Sequence, residues 1–276
     1  MKGALDLSWR QMAFAYVFPL ITYAICYLRQ IQRGRDLITS AFRMTVQLVI
    51  AGSILTVILG KPQPRITLMV FLVMEIFSVF TIFRRVKTPL PPALKRAAAI
   101  AQMFGTVVCV SYFLFFVVRP HPWFDPQYFI PLGGMMIGNA MTAVALAMTR
   151  LIDAVREGRD QIEGALILGA DPKRAMKVSI DKTFDAAILP TLSSMAGMGI
   201  VILPGMMTGQ ILSGSAPNTA IKYQIAIMLG ILGTTSICVL TFLTLASQSL
   251  FNEKKQLVFE DQLLALKERK KFKRKS

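Results

Sequence analysis

The sequence predicts an all-α, polytopic membrane protein with about seven transmembrane helices. Two observations carry this reading. Hydrophobic residues fill 54% of 276 positions and the mean hydropathy is +0.54, whereas soluble domains are roughly 45–50% apolar with glycine counted. The charge, 31 Lys and Arg against 15 Asp and Glu for a net +16, lies between long uncharged runs rather than within them. A disordered basic chain is excluded, because too much apolar surface must be hidden. A membrane barrel is excluded because the runs lack period-two alternation.

A helix needs about 20 mostly apolar residues to cross a bilayer, and helices satisfy their own backbone groups where water is absent. Seven runs qualify in order: 12–28, 41–59, 66–83, 97–118, 128–149, 186–212 and 219–246. The first reads as a retained helix, since neither a Lys/Arg-rich start nor a small-x-small cleavage site flanks it. The second to fourth show little of the polar face that a soluble helical bundle requires. In the sixth, Pro204-Gly205 removes a backbone donor and clashes with the preceding turn, so a kink or a broken helix is expected. Such a break can line a cavity where freed carbonyls meet cargo.

Orientation follows from Lys and Arg. One side of the membrane collects Arg29, Arg33, Arg35, Arg43, Arg84, Arg85, Lys87, Lys95 and Arg96, the loop 150–185 and the tail after Lys254. The other holds Lys2, Arg10, Lys61, Arg65 and Arg119. The asymmetry puts the N-terminus outside and the C-terminus in the cytoplasm. Residues 1–246 are read as a transmembrane domain that includes the cytoplasmic loop 150–185, and residues 247–276 as a basic cytoplasmic tail. The run Lys267–Ser276 fits contact with anionic lipid heads better than nucleic-acid binding, because it follows a membrane helix.

The loop 150–185 is the exception to the positive side. Arg150, Arg156, Arg159, Lys173, Arg174, Lys177 and Lys182 are matched by Asp153, Glu157, Asp160, Glu163, Asp171, Asp181 and Asp185. Within it a short helix is expected to pack through Ile162, Ala165, Leu166 and Leu168. Gly169 would close it in a left-handed conformation. Asp171 would cap a second helix with Pro172 at its first position. This corner is either a simple linker or a docking element for a soluble partner.

Inside the spans, Glu75 is the one deeply placed carboxylate. An ionisable group there suggests a cation or proton site, against a hydrogen-bonded structural role. Asn139 needs a partner in lipid and is expected to face protein. Gly134-x3-Gly138 and Gly205-x3-Gly209 place two glycines on one helix face and favour tight packing. Lys222 can snorkel to the membrane edge. Among 16 methionines, Met135, Met136, Met206 and Met207 cluster in the motif-rich helices. Thioethers can ligate soft ions and more often fill moving interfaces. Together with Glu75 they are the metal candidates. Cys26, Cys109 and Cys238 fall in apolar spans and read as packed thiols. His121, alone in a short proline-flanked loop, reads as a turn residue rather than a ligand.

Glu163-x-Ala165-x3-Gly169-Ala170 resembles the Glu-Ala-Ala–x3–Gly loop of bacterial ABC importer permeases, with Gly164 in place of the second residue. A closer resemblance follows. Gly134-Met-Met-Ile-Gly-Asn-Ala-Met141, Leu168-Gly-Ala-Asp-Pro172, Ala187-Ile-Leu-Pro190, Leu203-Pro-Gly-Met-Met-Thr-Gly209 and Ala220-Ile-Lys-Tyr-Gln-Ile225 resemble, in this order, the FetB family of iron-export ABC permeases, which also contains a plant aluminium-tolerance permease. The match is densest over 131–241. It implies a multi-pass permease of the bacterial inner membrane that exports metal ions, iron above all, or handles nucleotide sugars as in plants. It also implies a homodimer with two ATPase subunits, docked through Glu163, Ala165, Leu166, Leu168, Gly169, Ala170 and Asp171. Gly134, Gly138, Asn139, Pro204, Gly205, Met206, Met207, Gly209, Lys222 and Glu75 are candidates for a translocation path or helix interface. The chain itself has no P-loop: Gly60-Lys61 is followed by Pro62, and Leu55 stands where the motif needs glycine. No catalytic residue or directly bound cofactor is expected, with ATP used by the partner. An ion-coupled carrier and a non-transporting scaffold are the rival classes.

Overall fold

A computed structural model describes residues 8–31, 33–86, 88, 90–252 and 255–257. Among these residues there are helices and no strands. Ser8 opens α1 (Trp9–Ala15) in a reciprocal capping box with Gln11, which satisfies donors at the helix start. After Tyr16 the chain continues as α2 (Val17–Leu28), and α3 spans Gly34–Gly60. Proline occupies the opening turn of α4 (Pro64–Arg85), α5 (Pro92–Tyr112) and α6 (Pro126–Glu157), where its missing N–H costs nothing. A π-helical end, Phe113–Val118, closes α5, and Arg119 turns the chain at φ 49°. The loop projection holds α7 (Arg159–Ile167) and α8 (Pro172–Ala175). The remaining elements are α9 (Lys177–Ala196), α10 (Gly205–Leu212) and α11 (Pro217–Ser249).

Among the described residues six helical stretches are long and apolar enough to span a membrane: Trp9–Leu28, Gly34–Gly60, Pro64–Arg85, Pro92–Val118, Pro126–Glu157 and Pro217–Ser249. The run 186–212, expected as a further span, is divided. It begins as the end of α9, stops at Gly197, and resumes as α10 with Pro204 as N-cap. Pro204 cannot donate the bond a continuous helix requires. Gly199 supplies a φ of 82° inside the interruption, where its N–H bonds Ile202 O at 3.1 Å.

Helix α11 is the axis of the bundle, packing on α5, α6, α9 and α10, and α4 packs on α6. Near the α7–α8 end the core joins Leu94, Ala98 and Ala101 of α5, Ala140, Val144 and Met148 of α6, and Val239, Phe242 and Ala246 of α11. Towards the opposite end, Val110, Phe113, Leu132, Met136, Ile227 and Ile231 form a second core. Lipid offers no hydrophobic drive between helices, so close backbone approach supplies the attraction. Ala97, Ala98, Ala101 and Gly105 form that small face on α5. A Cβ at Gly105 would lie 2.4 Å from Cys238 Sγ and 3.2 Å from Cys238 Cα. The three cysteines are free thiols, with Cys238 fully buried, as expected. Helices α2 and α3 sit at the bundle's edge, and Ile58 is the one buried residue of α3.

The two ends of the bundle hold different elements. Asp171, Pro172 and Lys173 line one recess with Ser247 in the last turn of α11 and with Phe251 and Lys255 beyond it, so the α7–α8 corner and the end of α11 share one end. At the other end, Thr67 donates to Phe124 O at 3.1 Å. The run Lys267–Ser276 and Lys2 lie outside the described residues.

Candidate functional site

The α7–α8 corner is locally determined. Helix α7 ends in a Schellman arrangement: Ala170 N–H donates to Ala165 O and Gly169 N–H to Leu166 O, each at 3.0 Å. This geometry needs a left-handed residue, and Gly169 has φ 87°. The Asp171 side chain then accepts from Lys173 N–H at 3.4 Å and starts α8 at Pro172. Lys255 Nζ lies 3.4 Å from Asp171 Oδ1. Gly169→Ala is expected to weaken the corner by about 1–2 kcal/mol, the cost of a left-handed non-glycine residue. Faster hydrogen exchange over 168–176 with unchanged exchange in α6 would report it.

Inward and outward faces of the corner differ. Ile162 (2% exposed) and Met176 (0%) anchor it to the core, and Leu166 packs on the same cluster. Ala165 and Ala170 are half-buried. Leu168 was expected to pack inward. Instead it is 89% exposed beside Ile167 at 85%, because it is the C-cap residue and its side chain leaves the helix face that carries Ile162 and Leu166. Two large apolar side chains thus project from a charged loop. Glu163 Oε1 accepts from Arg159 Nε at 2.8 Å, both side chains partly exposed.

Within the bundle, Glu75 is 1% exposed. Thr106 on α5 is hydrogen-bonded to Glu75 Oε1, and its Oγ1 lies 2.6 Å from Gln102 O. Gln102 Nε2 donates to Ile137 O on α6 at 3.3 Å. Gln102 and Thr106 were not foreseen. The available signal was two polar residues four apart in an apolar run, which puts both on one helix face.

The other candidates divide. A Cβ at Gly134 would lie 2.9 Å from Met74 Cε on α4, while Gly138, Gly205 and Gly209 have open space around them. Gly205 and Gly209 therefore make no close helix contact among the described residues. Asn139, expected to face protein, is exposed and its Nδ2 donates to Met135 O of its own helix at 2.8 Å. Its side chain leaves α6 on the face not covered by α5 and α11. Met136 is buried in the second core, with Met135 and Met206 packed against it. Among the described residues no three His, Cys, Asp or Glu side chains converge to hold a metal, so Glu75 stands apart from any carboxylate or thiolate ligand set. Met207 joins Met195, Met198 and Met228 in a groove of about 440 Å³ at the helix break, which Pro204 and Gln224 also line. Lys222 lines a second groove of about 670 Å³ between α5 and α11. His121 sits in the exposed turn before α6.

Comparison with known proteins now places the fold. Residues 9–251 match the model of the Uncharacterised protein family (UPF0014). The probable iron export permease protein FetB of Escherichia coli is 31% identical over 92% of this chain and 96% of its own. A UPF0014 membrane protein of Synechocystis is 30% identical over 94% of this chain and its own full length. Protein ALUMINUM SENSITIVE 3 of Arabidopsis thaliana is 30% identical over 89% of this chain and 88% of its own. No solved structure matches. A family match across nearly the whole helical bundle makes this chain a multi-span membrane protein of the UPF0014 family.

Proposed function

We propose that this chain is the membrane permease subunit of an ATP-driven ABC exporter of metal ions such as iron. The observation that carries the reading is the Ile167–Leu168 tip, 85% and 89% exposed on a corner anchored by Ile162 and Met176. An apolar tip on a rigid mount fits a groove on a soluble partner. The positive end of the bundle faces the cytoplasm and brings this tip to an ATPase subunit. Two copies of the chain join two ATPases in the inner membrane of a bacterium. Helices α9 and α10 make the seventh crossing, leaving the N-terminus outside. Cargo passes along the groove at the helix break, where Gly205, Gly209 and Asn139 meet the second copy. The name of the Escherichia coli relative supports export of iron.

Reconstitution of the chain with its ATPase in liposomes tests this reading, with Fe(II), other metal ions and nucleotide sugars offered in turn. ATP-dependent movement of Fe(II) is expected. Glu163→Lys places a cation beside Arg159 and the docking surface, and coupled transport should fall about tenfold, the equivalent of about 1.4 kcal/mol. Flux by the lone chain under an ion gradient would establish a secondary carrier instead, and ATPase binding with no flux a scaffold.

A further inference from the structure

Glu75 lies in the middle of α4, whose charged residues stand only near its ends: Arg65, Arg84 and Arg85. Around it are Thr106 and Gln102 of α5, both 0% exposed, and Cys238 of α11, also 0% exposed. Cys238 Sγ is 3.9 Å from Gln102 O. From α6 the cluster receives a backbone carbonyl, that of Ile137, and α6 carries no charged residue before Arg150. Among the described residues Cys238 is the titratable group near Glu75, with Cys109 beyond it next to Cys238. Two acceptors buried in this cluster, Glu75 Oε2 and Gln102 Oε1, have no hydrogen-bond partner among the described residues.

The hydrogen atoms can be assigned. Thr106 has one hydroxyl proton, yet its oxygen lies against Glu75 Oε1, Gln102 O at 2.6 Å and Met103 O at 3.3 Å. If Glu75 were ionised, a full negative charge in the apolar bundle would rest on this one donor, with Oε2 bare and no cation beside it. Effective penalties for such burial are several kcal/mol. If Glu75 is a neutral acid, the accounting closes. The carboxyl O–H on Oε1 donates to Thr106 Oγ1, and the threonine hydroxyl turns to Gln102 O, the usual back-bond of a helical threonine. What remains are two neutral carbonyl oxygens without a partner among the described residues, Glu75 Oε2 and Gln102 Oε1, a far smaller cost than an unpaired charge.

We propose that Glu75, Thr106 and Gln102 form an intramembrane proton-binding site, with the proton held on Glu75. The ligand is a proton exchanged with water: the acid releases H⁺ to entering water and becomes a carboxylate, and regains H⁺ when the bundle closes. With the carboxyl 1% exposed, exchange requires α4 and α5 to part. Each opening that wets this cluster therefore exchanges its proton with water.

Infrared spectroscopy on the full chain tests it, in a maltoside detergent that has no ester carbonyl. A protonated-carboxyl C=O stretch is expected at neutral pH, shifted by carboxyl-¹³C glutamate labelling and absent in Glu75→Gln. Thr106→Val should move the band to higher frequency, because the carboxyl loses its acceptor. The labelling comparison uses the wild-type chain and does not depend on any variant folding. Absence of a glutamate-sensitive band in the wild type at neutral pH would overturn the proposal. So would a band that persists unchanged in Glu75→Gln.

Discussion

Gly105→Leu is expected to prevent recovery of a folded, monodisperse protein, and Gly105→Ala to lower its thermal stability. Even a single Cβ at this position meets Cys238 Sγ at 2.4 Å and the Cys238 backbone at 3.2–3.3 Å. A flexible neighbour could turn aside, but the backbone of α11 cannot move without disturbing its contacts with α5, α6 and α9. Overpacking typically costs about 1–3 kcal/mol, and the alanine should fall in that range. The leucine exceeds it, because its additional atoms must enter the same seam. Size-exclusion profiles and thermal unfolding in detergent measure both. Adding Cys238→Ala to Gly105→Ala should recover part of the loss, since it removes the nearest atom and leaves the backbone contact. Wild-type stability for Gly105→Leu would mean that α5 and α11 do not cross there.

Replacing both exposed residues of the corner, Ile167→Asp with Leu168→Asp, is expected to leave the chain folded and, under the proposed function, to weaken binding of the proposed ATPase partner severely. Neither side chain contributes to the core, being 85% and 89% exposed. Burying a large aliphatic side chain is worth about 1.5–3 kcal/mol, so losing two at an interface should weaken association about a hundredfold or more. Binding of the ATPase to the purified permease measures this directly, and unchanged affinity would remove the corner from the interface. Ile162→Asp is the contrasting control. At 2% exposure it should disrupt the corner itself, and loss of α7 protection in hydrogen exchange would show it.

Much of this architecture was legible in the order of residues. The spans could be read because lipid demands long apolar runs. The α7–α8 corner was legible because glycine and Asp-Pro act within a few residues of themselves: Gly169 takes its left-handed φ and Asp171 caps α8. The interruption at Pro204 was equally local. Where local pattern was not enough, a distant partner decided the result. Leu168 carries the same hydrophobicity whether it faces α6 or water. Asn139 was expected against protein, yet its exposure depends on which face of α6 the other helices cover. The two Gly-x3-Gly motifs look alike in sequence, but only Gly134 meets another helix of this chain at close range.

The same division runs through the chemistry. Sequence by itself determined that Glu75 is a carboxylate within an apolar run and that its burial would be costly. Only the packing of the helices brought Thr106 across from α5 to bond it with Gln102 beside that threonine, left its second oxygen without a partner among the described residues, and set Cys238 against Gly105. The physical reason is range. Hydropathy, capping and backbone strain act over a few residues and are written in order along the chain. Hydrogen-bond partners and close helix crossings depend on the rotation and depth of whole helices, which are settled when all of them pack around α11.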